Sequence, residues 1–184
     1  MNSLLLFLPI DIDMSGVNFT QFDKSVKLTA YNPYWESTQI TRDTIVKNNF
    51  DKILNQLPFT EISVVTYKIQ QSIVNSHVDV YPSMNFKDGE LEHIRTHEPA
   101  GYRFVLNGNS DSVEVFNGQE WITAYTPNVP CCYLINSTMA KHRVKEDFGR
   151  TIIYVRGILD PEKHQSLITL SYNKYKDYAI ESVL

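Results

Sequence analysis

From Ile62 onward, apolar and polar residues alternate in short runs separated by residues that favour turns. Side chains i and i+2 share one face of a strand, so a period of two means strands that bury a face. Residues 62–70, 71–81, 102–106, 112–116, 120–125, 131–136, 142–145 and 150–159 read as such strands. Asn117-Gly118 supplies a hairpin turn between two of them. Aromatic residues reach 12%, with eleven tyrosines, a bias that also favours strands. About eight short strands in series predict a sandwich or barrel rather than a helical bundle.

The flanks differ. Residues 3–10 read as a further strand and residues 11–36 as irregular chain. Residues 38–57 predict one helix, with Ile40, Ile45, Phe50, Ile53, Leu54 and Leu57 on its apolar stripe and Pro58 as its stop. Pro161 suits the first turn of a C-terminal helix. Residues 82–100 form a long polar and charged loop, the natural candidate for a substrate-selecting lid. The expectation is one domain of 184 residues, mainly β with flanking helices (α+β). Its parts are an N-terminal strand and bracing helix at 1–59, a β core at 60–160 and a C-terminal helix at 161–184.

A net charge of −4 offers no broad basic field for nucleic acid or an acidic membrane surface. The run Leu4 to Leu8 is short, lacks a basic lead and is followed by Asp11 and Asp13, so it reads as a buried strand rather than a signal peptide. The two cysteines, Cys131 and Cys132, are neighbours, a spacing that strains a disulfide. They read as small apolar strand residues in a chain suited to a reducing cytoplasm.

The chemistry concentrates in His77-x-Asp79, His142 and Arg150. On a strand, His77 and Asp79 point the same way and offer an imidazole and a carboxylate together. A second histidine from a distant strand would complete a two-histidine, one-carboxylate set, which suits non-haem Fe(II) because it leaves coordination positions open. Arg150 stands where a second strand can aim a guanidinium at an acidic co-substrate. Each residue also has a plain reading. His-x-Asp fits two polar side chains on a wet strand face, His142 a core histidine satisfied by backbone, and Arg150 an exposed ion pair. His93 and His97, at i and i+4, sit in the polar loop as competing ligands or substrate contacts, and His164 reads as a solvated helix residue.

The pieces Ser-His-Val-Asp-Val (76–80), Lys-His-Arg-Val (141–144) and Gly-Arg-Thr-Ile-Ile-Tyr-Val-Arg (149–156), in that order, resemble the Fe(II)- and 2-oxoglutarate-dependent dioxygenases. The resemblance covers roughly residues 60–160 and leans toward the prolyl and aspartyl/asparaginyl hydroxylase branch. It implies a double-stranded β-helix core of jelly-roll or cupin kind. His77, Asp79 and His142 are then the metal ligands and Arg150 the anchor for the far carboxylate of 2-oxoglutarate. Arg103 and Arg156 are alternatives for that anchor. Relatives often carry a hydroxyl residue two places after the arginine; here that place is Ile152, which leaves Tyr67 or Tyr102 from another strand as substitutes. The implied activity is hydroxylation, or demethylation by hydroxylation, of a small molecule or an amino-acid or protein side chain, with 2-oxoglutarate converted to succinate and CO2. A cupin-type metalloenzyme without 2-oxoglutarate and a non-catalytic binding jelly roll stand as alternatives.

Overall fold

Residues 102–106, 131–135 and 151–155 are buried at every position, which happens when a strand is covered on both faces. These segments form the middle of a large sheet. The computed structural model describes residues 4–19, 22, 26–79, 101–137 and 139–183. In chain order the elements are β1 (Leu5–Ile10), β2 (Ala30–Tyr31), β3 (Trp35–Gln39), α1 (Arg42–Lys47), α2 (Asp51–Leu54), β4 (Phe59–Gln70) and β5 (Val74–His77). There follow β6 (Tyr102–Asn107), β7 (Val113–Phe116), β8 (Trp121–Thr123), β9 (Cys131–Ile135), β10 (His142–Val144), β11 (Thr151–Leu159), α3 (Pro161–Tyr175), a 3-10 turn (Lys176–Tyr178) and β12 (Ile180–Glu181). The result is a mixed α+β fold.

Eight strands make one sheet in the order β12-β1-β9-β6-β11-β4-β3-β2, and four make a second in the order β5-β10-β7-β8. Within them β4 pairs with β11, β5 with β10, β6 with β9 and β7 with β8, all antiparallel. The turn at Asn117-Gly118 closes the last pair, and Gly118 takes a positive φ of 110° there.

Two apolar layers follow from strand parity. Phe104, Cys132, Leu134, Ile153 and Val155 on the large sheet join Phe50, Ile53 and Leu57 from the helical side. Val105, Cys131 and Ile152 on the opposite face join Val113 and Val115 of the small sheet. Cys131 and Cys132 are both free and buried, one in each layer.

The helix expected over 38–57 is broken. Residues 38 and 39 end β3, Thr41 caps α1 by accepting from the Thr44 N–H, and Asn49 adopts a φ of 57° that stops the helix before α2. An asparagine tolerates that left-handed conformation, and the stop turns Phe50, Ile53 and Leu57 onto the sheet. Three short strands, β2, β3 and β12, lack a clear alternation and extend the sheet edges beyond the eight expected strands. Among the described residues no helix is long and apolar enough to cross a membrane.

Contrary to the expectation of a solvated side chain, His164 on α3 is buried and its Nδ1 lies 2.9 Å from the Tyr102 hydroxyl. Burial pushes its pKa down to about 4, from about 6.5 in an unfolded chain. As pH falls between those values the unfolded chain takes up a proton that the folded one refuses, so stability is lost on acidification, by up to about 3 kcal/mol. In urea unfolding, the stability advantage of wild type over His164→Gln is expected to shrink by that amount between pH 7 and pH 4. An advantage independent of pH would show that His164 is not held neutral.

Candidate metal centre and its cavity

The small sheet brings His77 and His142 together. His77 ends β5 and His142 opens β10, and the two are cross-strand partners. Their ring centroids are 4.4 Å apart. Asp79 lies just past β5 rather than within it, and its backbone N–H donates to the Ser137 carbonyl at 2.7 Å. That bond turns the carboxylate back toward the imidazoles. Asp79 Oδ1 lies 3.3 Å from His77 Nε2 and 3.8 Å from His142 Nε2. One ligand atom from each of the three falls within 4.8 Å of the others.

The ring orientations are fixed from behind. His77 Nδ1 lies 2.7 Å from the Asn75 carbonyl and His142 Nδ1 lies 3.0 Å from the Ala140 carbonyl. A carbonyl only accepts, so each Nδ1 carries the proton and each Nε2 faces the centre, the second-shell arrangement typical of metal-ligating histidines. Burial, then the nearby Arg103 charge, pushes the His142 pKa down to about 4, which keeps its Nε2 lone pair available. The hydrogen bond with Asp79 raises His77. Burial alone would raise Asp79, but the hydrogen bond from His77 and the Arg103 charge outweigh it and hold the carboxyl well below the usual carboxylate range.

Together these residues form a two-histidine, one-carboxylate triad, a donor set consistent with an Fe(II)-binding enzyme site. It is more open on one side, with the His77 side chain 38% exposed and that of His142 only 7%.

A cavity of about 260 Å³ runs from the triad along the inner face of the large sheet. Arg103 reaches across it from β6 and donates from Nη2 to Asp79 Oδ2 at 2.9 Å. Arg103 thus holds the oxygen that faces away from the histidines. Arg150 is 2% exposed, among the most buried large side chains of the protein. Its Nη2 donates to the Tyr133 hydroxyl at 2.9 Å, and its Nε has no hydrogen-bond acceptor. A buried guanidinium facing a hydroxyl and carrying an unmet donor fits a carboxylate guest.

Arg156 also lines the cavity, and its guanidinium lies 5.3 Å from the Tyr154 ring centroid. Tyr67 and Tyr102 do not reach the cavity. Tyr67 is the cross-strand partner of Ile153 and Tyr102 of Val155, so both occupy the helix-facing side. Tyr67 stacks on Phe22 and Tyr102 bonds His164. The hydroxyl beside Arg150 belongs to Tyr133, which sequence reasoning passed over. Parity was the available signal, since Tyr133 pairs with Arg103 and shares its face. The proposed lid at 82–100, with His93 and His97, lies outside the described residues.

No protein-family model and no curated protein matches this chain. Loss of a ligand is expected to weaken divalent-cation binding beyond the roughly 10- to 100-fold that loss of a second-shell partner costs. Mn(II) titration followed by water-proton relaxation should show this for His142→Ala and Asp79→Ala. Glu114→Gln, at the ion pair with Arg143 outside the cavity, should bind as wild type. Equal affinity in all four proteins would move the ion elsewhere.

Proposed function

We propose that this protein is an Fe(II)- and 2-oxoglutarate-dependent oxygenase that hydroxylates its substrate, with prolyl-hydroxylase-like use of His77, Asp79 and His142 as ligands. The observation that carries the reading is the coincidence, in one cavity, of the triad with a deeply buried arginine that has an unmet donor and a tyrosine hydroxyl at its tip. A metal-binding protein without an acidic co-substrate has no use for that second feature.

The strand pairing supports a double-stranded β-helix core. Numbering β4 to β11 as one to eight, the partners are one with eight, two with seven, three with six and four with five. That is an antiparallel ribbon coiled on itself, the jelly-roll arrangement. The first, third, sixth and eighth strands lie in the large sheet and the other four make the small one.

His77, Asp79 and His142 would hold the metal. Fe(II) held there would supply the redox chemistry by which O2 hydroxylates a C–H bond while 2-oxoglutarate is oxidised to succinate and CO2. Arg150 and Tyr133 bind the far carboxylate. The guanidinium stays charged at any working pH, and the hydroxyl, already bonded to it, adds a second donor. Arg103 keeps Asp79 ionised and turned, which leaves Oδ1 for the metal. The backbone bonds at Nδ1 keep both imidazoles in the ligating tautomer. Val113, Ile135 and Ile152 add apolar side chains to the lining between these polar groups.

The test is succinate formation from 2-oxoglutarate by the Fe(II)-loaded protein. His77→Ala is expected to abolish it. Tyr133→Phe and Arg150→Ala should raise the 2-oxoglutarate requirement, by about tenfold and by up to about 100-fold, in line with the loss of charge-assisted hydrogen bonds. An unchanged requirement in both variants would sink the anchor assignment. Absence of succinate, with metal bound, would leave a metalloenzyme that uses no 2-oxoglutarate.

A further inference from the structure

Beyond the triad and the anchor, the cavity holds a feature that neither explains. Three cations converge on one ring. The Lys68 ammonium lies 5.3 Å, the Arg103 guanidinium 4.8 Å and the Arg156 guanidinium 5.3 Å from the centroid of Tyr154. Lys68 and Arg103 reach the ring from β4 and β6, the strands on either side of β11. Trp35 offers Lys68 a second ring at 5.8 Å. Among the described residues, the cavity lining carries, with Arg150, four cationic side chains and one carboxylate, Asp79, which Arg103 and the triad already engage.

Aromatic faces ease the crowding of these charges but cannot neutralise it. Burial, and after it the Arg103 charge, pushes the Lys68 pKa down to about 8. Among the described residues no carboxylate lies within ion-pair distance of Lys68. A guest with negative charge would relieve this repulsion, and a neutral guest would leave it in place.

We propose that the substrate of this centre carries an oxyanion, a carboxylate or a phosphate, which docks on Lys68 at the Tyr154 and Trp35 rings while its reacting carbon faces the triad. As a statement about substrate this rests on the oxygenase reading; as a statement about an anion site it does not. Lys68 and the triad line the same cavity, with Lys68 meeting Arg103 at the Tyr154 ring and Arg103 meeting Asp79. Arg150 is left to the co-substrate. The substrate class is therefore an acidic amino or hydroxy acid or a phosphorylated small molecule, rather than a neutral ring or an unmodified hydrocarbon.

The probes are inorganic phosphate, acetate and the neutral acetamide, added to protein in excess over Mn(II) and saturated with 2-oxoglutarate. Paramagnetic relaxation of the phosphorus or methyl-proton signal reports approach to the metal. Phosphate, acetate or both should relax faster than with Lys68→Gln by about tenfold, the loss expected for one charge-assisted contact. Lys68→Arg should keep the effect and acetamide should show none. Whichever of the two anions responds more strongly tells a phosphate site from a carboxylate site. Equal relaxation in wild type and Lys68→Gln, or an acetamide effect as large as that of acetate, overturns the proposal. Water-proton relaxation of the same samples shows whether Mn(II) is held at all. If it is not, the oxygenase reading fails on its own, and calorimetry of phosphate and acetate with the metal-free protein decides the anion site, where binding abolished by Lys68→Gln supports it and no binding overturns it.

Discussion

Covering on both faces of β6, β9 and β11 is the constraint on which the rest of the structure depends. A strand between two layers must present apolar side chains to each, and alternation deals them out one by one. Phe104, Cys132 and Ile153 go to the helices, whereas Val105, Cys131 and Ile152 go to the small sheet. Polar side chains enter this sheet where its inner face opens into the cavity. Arg103, Tyr133 and Tyr154 do so in one cross-strand row. A slip of one residue in any of these strands would send its polar member among the helices and an apolar residue into the cavity. The chemistry of the site is in this sense a consequence of register.

The cavity beside this row carries a large electrostatic cost. A guanidinium as buried as Arg150 gives up its hydration, and a neutral tyrosine hydroxyl recovers little of it. Lys68 and Arg156 add like charge around one ring. Nothing in the fold requires these choices, since Val105, Ile135 and Ile152 show that apolar side chains fill the same face. A protein that keeps unmet donors and crowded cations in its interior gives up stability there, and such local conflicts mark the places where function sets the sequence. Asp79 is the counterweight, and its position between two histidines and an arginine ties the two sheets electrostatically.

Much of this was legible in the chain, for reasons that separate the cases. The central strands were visible because alternation and turn residues are local signals. The triad was visible because one His-x-Asp pair and one later histidine narrow the choices among five histidines. The broken helix at 42–54 was not visible, because its apolar spacing continues straight through Asn48 and Asn49 and the stop depends on one residue turning left-handed. Edge strands such as β2 and β12 have two residues each, too few for any period. The misplacement of Tyr67 and Tyr102 has another cause. Each puts a hydroxyl on a neighbouring strand, yet the face each presents is set by pairing with Ile153 and Val155. Counting parity outward from Arg103 to its neighbours selects Tyr133 instead.

The two sheets divide the labour of the site. The small sheet and the residues just past β5 supply the metal donors, with the imidazoles oriented by the Asn75 and Ala140 carbonyls and Asp79 by its backbone N–H on the distant Ser137 carbonyl. The large sheet supplies Lys68, Arg103 and Arg156 from β4, β6 and β11, strands with neighbours on both sides, and Arg150 just before β11. Arg103 to Asp79 is the direct side-chain link between the two sets. Such a division lets the guest-binding wall vary while the metal donors stay, because a substitution at residue 68 or 156 changes charge in the cavity without removing any bond that orients His77, Asp79 or His142. Specificity then resides in the large sheet and reactivity in the small one. For this chain, whose described cavity lining sets Lys68, Arg103, Arg150 and Arg156 against the carboxylate of Asp79, that division places the proposed anion contact at Lys68 and Tyr154 rather than at the triad.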